Sequence, residues 1–216
     1  MSHRGIHDRG YLPHWDFDGS LQAITFRLGD ALPEHVILSW KSELALMLQH
    51  PDQSIAEQAA KELRKRIARH EDAGYGACIL KDHGHVLQEI LISSHTRSYR
   101  LIEWCIMPNH VHVLVKLLPS QSLRGIMQNW KGGSSFLINK LTGRSGSLWY
   151  PDYHDRFIRD TDHYHNAIAY IRNNPVKAGL CQLPSEWPLS SAGMEWSADF
   201  SPHPSPAKAP PNKDAD

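Results

Sequence analysis

The segment from Tyr99 to Leu117 constrains this chain more than any other, because it reads as two strands joined by only three residues. Tyr99 to Ile106 and His110 to Leu117 flank Met107-Pro108-Asn109, a connection short enough to impose an antiparallel hairpin. In the second strand Val111, Val113 and Val115 alternate with His110, His112 and Leu114. Successive strand side chains point to opposite faces, so the valines supply a core face and the two imidazoles lie side by side on the other. The hairpin therefore fixes a sheet, with the histidine strand expected at its centre.

An H-x-H string alone says little: with 15 His in 216 residues about one is expected by chance, and this chain holds three. His163-Tyr164-His165 falls in a helical pattern, where residues two apart do not face each other. His83-Gly84-His85 follows Lys81-Asp82 in what reads as a turn. Only His110 and His112 sit on a period-two pattern, and at this point half of a metal site and two half-exposed sheet histidines are equally good readings.

Three cysteines, Cys78, Cys105 and Cys181, with no C-x-x-C pair argue against a disulfide framework and a cysteine zinc site, and suit a reducing cytosol. Residues 1–18 carry no apolar leader-like run, and no later stretch approaches the ~18–20 uninterrupted apolar residues of a membrane span. A soluble, cytoplasmic protein is expected. Formal net charge is +0, so no global field points to nucleic acid. Residues 121–180 nevertheless hold eight Lys or Arg against four Asp and no Glu, a local excess of +4, which suits either a solvated face or a phosphate-binding surface.

The chain divides into a polar arm over 1–19, one domain over 20–196 and a Pro-rich tail over 197–216, expected to be disordered. Leu21 to Leu28 alternates as a strand. Helices are expected from Pro33 to about Gln49, from Ile55 to His70 and from His85 to His95, with a short strand over 74–80. Ser122 to Leu141 reads as a basic helix broken or strained at Gly132-Gly133. A last helix, capped by Asp160 or Thr161, should stop at Asn174 before Pro175. Hairpin and helices together predict an α+β fold, an antiparallel sheet with helices packed on it.

In that last helix Tyr164, Ala167, Ile168 and Ile171 form a core stripe, which makes Tyr164 a packing residue. Tyr170 and Asn174 form a separate i,i+4 pair at the sheet's edge, with His163 on the same side. The proline after Asn174 loosens that geometry.

Four stretches in order, Met107-Pro108-Asn109-His110-Val111-His112-Val113-Leu114-Val115, Gly146-Ser147-Leu148-Trp149, Tyr153 to Asp160 and Tyr170 to Leu180, resemble the REP-associated tyrosine transposases. These are an IS200-like branch of the HUH single-strand transposases. The resemblance extends from Gly10-Tyr11-Leu12-Pro13 through Ile24 to Leu28 and Asp72-Ala73-Gly74-Tyr75-Gly76 to Trp187-Pro188. It implies a ferredoxin-like or RRM-like sheet with helices on one side. It also implies a divalent metal, Mg²⁺ or Mn²⁺, held by His110, His112 and Asn174, with Tyr170 as nucleophile. The implied activity is cleavage and joining of single-stranded DNA by transesterification, through a 5′-phosphotyrosine and without a nucleotide cofactor.

DNA hairpins are the implied partners, with no membrane involved, the nucleoid DNA as the setting and a monomer or homodimer as the working unit. Arg124, Lys131, Arg156 and Arg159 become phosphate-contact candidates, and Arg9, Tyr11 and Trp15 base-reading candidates in the arm. Two rival readings stand beside this one: a hairpin-binding protein with little or no cleavage, and a metal hydrolase using water. No Asp or Glu stands near the H-x-H strand in sequence as an obvious base for the second.

Overall fold

The computed structural model describes residues 19–194 and 196, together with the backbone of residues 6–8 and 13–15. Arg9, Tyr11, the Trp15 side chain and the expected tail lie outside the described residues. Strands β1 (Ile6–Asp8) and β2 (Pro13–Trp15) pair as a small antiparallel ribbon inside the segment assigned above to an arm.

The main sheet contains β3 (Leu21–Arg27), β4 (Tyr99–Ile106), β5 (His110–Leu117) and β6 (His154–Phe157) in the order β4-β5-β3-β6, every pair antiparallel. The fold is thus an α+β antiparallel sheet with helices packed on it, and β5 is a central strand. The register places Thr25 opposite His112 and Arg27 opposite His110. Thr25 also faces His154 across β6. One sheet face therefore carries Arg27, Thr25, His110, His112 and His154.

The helices are α1 (Glu34–Leu48), α2 (Gln53–Asp72), α3 (Leu80–Ser93), α4 (Leu123–Thr142) and α5 (Thr161–Lys177). The valine face of β5, with Ile24, Phe26, Trp104 and Ile106, packs against Leu87 and Leu91 of α3 and Met127 and Trp130 of α4. On the opposite face Cys105 and Leu114 meet Tyr164 and Ile171 of α5. Helices hence cover both faces, not one. The hydroxyl of Tyr99 ties β4 to α3 and α4, donating to the Leu91 carbonyl (2.8 Å) and accepting from Trp130 Nε1 (2.8 Å).

Four local expectations need correction. Residues 74–79 are a loop rather than a strand, and α3 begins at Leu80, so His83-Gly84-His85 is helical. Gly84 lets α3 approach the sheet: a Cβ there would stand 2.9 Å from Leu189 Cδ1 and 3.0 Å from Ile106 Cγ2. Helix α4 runs unbroken through Gly132-Gly133, capped by Ser122, whose hydroxyl accepts from Gly125 N (3.1 Å). Helix α5 passes through Pro175 to Lys177, since the bond from Ala178 N to the Asn174 carbonyl (3.0 Å) continues the ladder beyond the position where proline lacks a donor.

After α5 the chain returns along the outer edge of β4. Ile106 N donates to the Leu189 carbonyl (2.8 Å) and Ser191 N to the Trp104 carbonyl (3.0 Å). The Ser191 hydroxyl donates to the buried Glu103 carboxylate, which also accepts from Arg172 Nε (3.0 Å). This strap occupies hydrogen-bonding groups that an edge strand otherwise offers to other chains.

Candidate functional site

The second face of the sheet is where the polar groups collect. His110 and His112 are both buried, with Nε2 atoms 3.0 Å apart. Asn109, fully buried, orients the first ring. Its Nδ2 donates to the Tyr75 carbonyl (2.9 Å), which aims Oδ1 at His110 Nδ1 (2.7 Å). A carboxamide oxygen only accepts, so His110 carries its hydrogen on Nδ1 and presents a lone pair at Nε2. His112 Nδ1 meets the Thr25 hydroxyl at 2.8 Å. A hydroxyl can donate or accept, so His112 can present either a hydrogen or a lone pair at Nε2.

Burial, the other imidazole and Lys177 hold His110 well below the ordinary histidine range. Burial, then Lys177 and His154, bring His112 down to about 3. Both rings are therefore neutral at physiological pH, the form that ligates metals.

Helix α5 lies across this face, so Tyr170 stands over it rather than at the sheet's edge. The Tyr170 ring meets His112 edge-on, centroids 5.3 Å apart, and remains 43% exposed. Desolvation by its surroundings raises the phenol above its usual value, against the opposing pull of the Asn174 amide and Lys177. One turn on, Asn174 is 0% exposed, and its side-chain amide, near enough to Tyr170 to lower the phenol, makes no hydrogen bond of normal geometry. An unsatisfied buried amide costs about 1–3 kcal/mol, so this group fits a cation that takes a lone pair from its oxygen.

Among the described residues no three His, Cys, Asp or Glu side chains form a ready metal cage. The donor set that fits a cation is His110 and His112 with the orphaned Asn174. The fold brings His110 to His112 and Tyr170 to His112, with Asn174 one turn along α5 from Tyr170.

Sequence reasoning misses the groups that α2 delivers. Asp72 Oδ1 stands 3.8 Å from His110 Nε2, while Oδ2 pairs with Lys177 Nζ at 2.5 Å. Lys177 in turn lies 5.8 Å above the Tyr170 ring. The preceding residue, Glu71, is buried; desolvation outweighs its contact with Arg27 (3.5 Å) and raises its carboxyl to about 7. The loop after α2 is held by Gly76, with φ +90°, where a Cβ would stand 2.8 Å from the Asp30 carbonyl oxygen, and by a bond from Ala77 N to Asp30 Oδ2 (2.8 Å). Asn109, Asp72, Thr25 and Lys177 all lie in stretches that carry the family resemblance, but no local pattern marks Asp72, Thr25 or Lys177 as neighbours of the histidines.

A cleft of about 680 Å³ opens beside Tyr170 and His112, between the sheet face, α1, α2 and α5. Four cations, Arg27, Lys41, Arg64 and Arg156, outnumber two acids, Glu71 and Asp152, in its lining. Arg156 thus reaches the site, and exposed Arg159 stands two residues before α5. Arg124 is exposed on α4, which packs on the opposite face of the sheet, so it is not brought to the cleft. Lys131 turns inward: its Nζ donates to the carbonyls of Tyr150 (2.9 Å), Pro151 and Asp152 (both 3.0 Å). An ammonium has three hydrogens, so Lys131 pins this loop rather than contacting phosphate.

Residues 77–174 match the family described as "Transposase IS200 like". A Haemophilus influenzae protein provisionally named as a REP-associated tyrosine transposase is 26% identical over 125 residues, 58% of this chain and 61% of that protein. The REP-associated tyrosine transposase of Escherichia coli K12 is 38% identical over 45 residues, 21% of this chain and 27% of that protein. The chain therefore spans less than two thirds of either relative. A REP-associated tyrosine transposase solved bound to a REP hairpin superposes with a TM-score of 0.56 at 16% identity, covering 89% of this chain and 92% of that one, a likeness of fold. In sequence and in fold this chain is similar to REP-associated tyrosine transposases, with the IS200-like transposase match spanning residues 77–174.

Proposed function

We propose that this protein cleaves and rejoins single-stranded DNA beside hairpins, with Tyr170 as the nucleophile. The observation that carries the reading is convergence: a cleft lined by the partly exposed phenol of Tyr170 and by His112 opens beside a second neutral imidazole, His110, whose Nε2 is 3.0 Å from that of His112, and the buried amide of Asn174 lies one turn along α5 from Tyr170. The Tyr170 oxygen attacks the scissile phosphorus and loses its proton, the 3′ oxygen leaves and gains one, and the 5′ phosphate stays on the protein as a phosphotyrosine. A later 3′-OH reverses the exchange, so the joined bond needs no nucleotide cofactor.

A phenol with a pKa near 10 is a weak nucleophile at neutral pH, and burial raises this one further. A divalent ion on His110, His112 and Asn174, Mg²⁺ or Mn²⁺, would supply charge stabilisation at the phosphate. Asn109 and Thr25 orient the two imidazoles, Asn174 directs its amide inward, and Arg156 with Arg159 engages the phosphates of the strand entering the cleft.

Incubation with labelled hairpin oligonucleotides carrying single-stranded flanks, with Mn²⁺, Mg²⁺ or chelator, followed by denaturing gels, tests the reading. The expected result is a metal-dependent protein–DNA adduct, absent from Tyr170→Phe, which still binds the hairpin. Binding with no adduct from the native chain would replace this reading with a hairpin-binding protein, and full cleavage by Tyr170→Phe would replace it with a water-using hydrolase.

A further inference from the structure

We propose that Asp72 is a further ligand of the cation, beside His110, His112 and Asn174, and that Lys177 holds this carboxylate as its ion-pair partner when no cation is bound. The inference rests on the nuclease reading only for the presence of a cation. Its basis is the placement of the two carboxylate oxygens. Oδ1 faces His110 Nε2 at 3.8 Å, the nitrogen whose lone pair Asn109 leaves available, and Oδ2 is bonded to Lys177 Nζ at 2.5 Å.

The charge of the site argues the same way. Two imidazoles and an amide are all neutral, while Mg²⁺ and Mn²⁺ favour oxygen donors and bind carboxylates in preference to nitrogen-only sets. A dication on neutral ligands, with Lys177 close by, would sit in a buried pocket with no compensating charge. Asp72 brings its carboxylate to His110, whereas Glu71 turns to Arg27. The Asp72 side chain is 13% exposed and that of Lys177 56% exposed, so the lysine has room to withdraw and release the carboxylate, which shifts to complete a cage that the three groups do not form while Lys177 holds it.

The consequence is competition: cation and ammonium share one carboxylate, and uptake of the cation frees Lys177 beside Tyr170. Manganese titration of the full-length protein, followed by electron paramagnetic resonance and calorimetry at one fixed pH, measures this without reference to DNA cleavage. Asp72→Asn should weaken Mn²⁺ binding by about tenfold or more, on the scale of losing a ligand-supporting group. Asp72→Glu should stay within a fewfold of the native chain. Lys177→Met should tighten binding by about two- to fivefold, the scale of a partly exposed ion pair removed from competition.

Unchanged affinity in Asp72→Asn, or a loss in Lys177→Met as large as that in Asp72→Asn, overturns the proposal while leaving a His110/His112/Asn174 site standing. No Mn²⁺ uptake by the native chain would instead remove the cation reading itself. Thermal unfolding of each variant shows that a change in Mn²⁺ affinity is not a loss of fold, and Asp72→Glu keeps the test decisive if the asparagine variant is unstable.

Discussion

Glu71 and the two histidines of β5 meet the folded state with opposite protonation preferences, and this sets how stability responds to acid. His112 is held down to about 3, and His110 lies well below its ordinary 6.5. The unfolded chain therefore binds more protons than the folded one as pH falls below about 6.5, and stability drops across that window. Glu71 acts in reverse. Its carboxyl is raised from 4.5 to about 7, so the folded chain holds the proton longer, and this residue contributes a loss of stability as pH rises from 4.5 to 7. The two slopes oppose each other between 4.5 and 6.5. In Glu71→Gln the opposing slope is gone, so the unfolding temperature should climb more steeply with pH through that interval than in the native chain, as measured by calorimetry at several pH values. A parallel pair of curves would refute the assignment. None of this could be read from the residues alone, because Glu71 and Asp72 end a helix far along the chain from β5, and a charge inversion of this kind depends on burial.

At the scale of elements, hydrophobic period decides what was legible. The hairpin of β4 and β5, the first main strand and the amphipathic α2 follow from alternation or from spacing by four. Strand β6 was missed because His154-Asp155-Arg156-Phe157 is short and largely polar, with nothing to distinguish it from the neighbouring loop. The glycines misled for a related reason: Gly84 suggested a turn and Gly132-Gly133 a break, although all three sit inside helices. Their roles differ, and stability separates them. Gly84→Val should overpack α3 against Ile106 and Leu189 and cost about 1–3 kcal/mol. A methyl group added at Gly132 would meet nothing within 4 Å, so Gly132→Ala should stabilise by about 0.5–1 kcal/mol. Urea denaturation of the two variants checks both signs, and a destabilised Gly132→Ala would show that this position meets something outside the isolated chain. Pro175 likewise read as a stop, yet the helix carries on, and Asn174 keeps its place one turn from Tyr170.

The whole molecule is a sheet with its two faces assigned to different work, and its charges follow that division. Arg156 lines the cleft and Arg159 flanks α5, whereas Arg124 lies on the helical layer across the sheet. If DNA enters the cleft, Arg156→Ala with Arg159→Ala should weaken hairpin binding and reduce the slope of log affinity against log salt by about 1 per lost phosphate contact. Arg124→Ala should change neither, as measured by fluorescence anisotropy at several salt concentrations. Among the described residues no helix is long and apolar enough to cross a membrane. The alternation along β5 has a last consequence, for how this protein can fail. A slip of one residue in its pairing would send both imidazoles into the layer under α3 and α4 and the valines into the layer under α5. Packing and chemistry are thus written into one strand on alternate letters, and a misaligned copy loses both together. Whatever the cell uses to discard badly folded chains would therefore also discard every copy whose imidazole pair is out of frame.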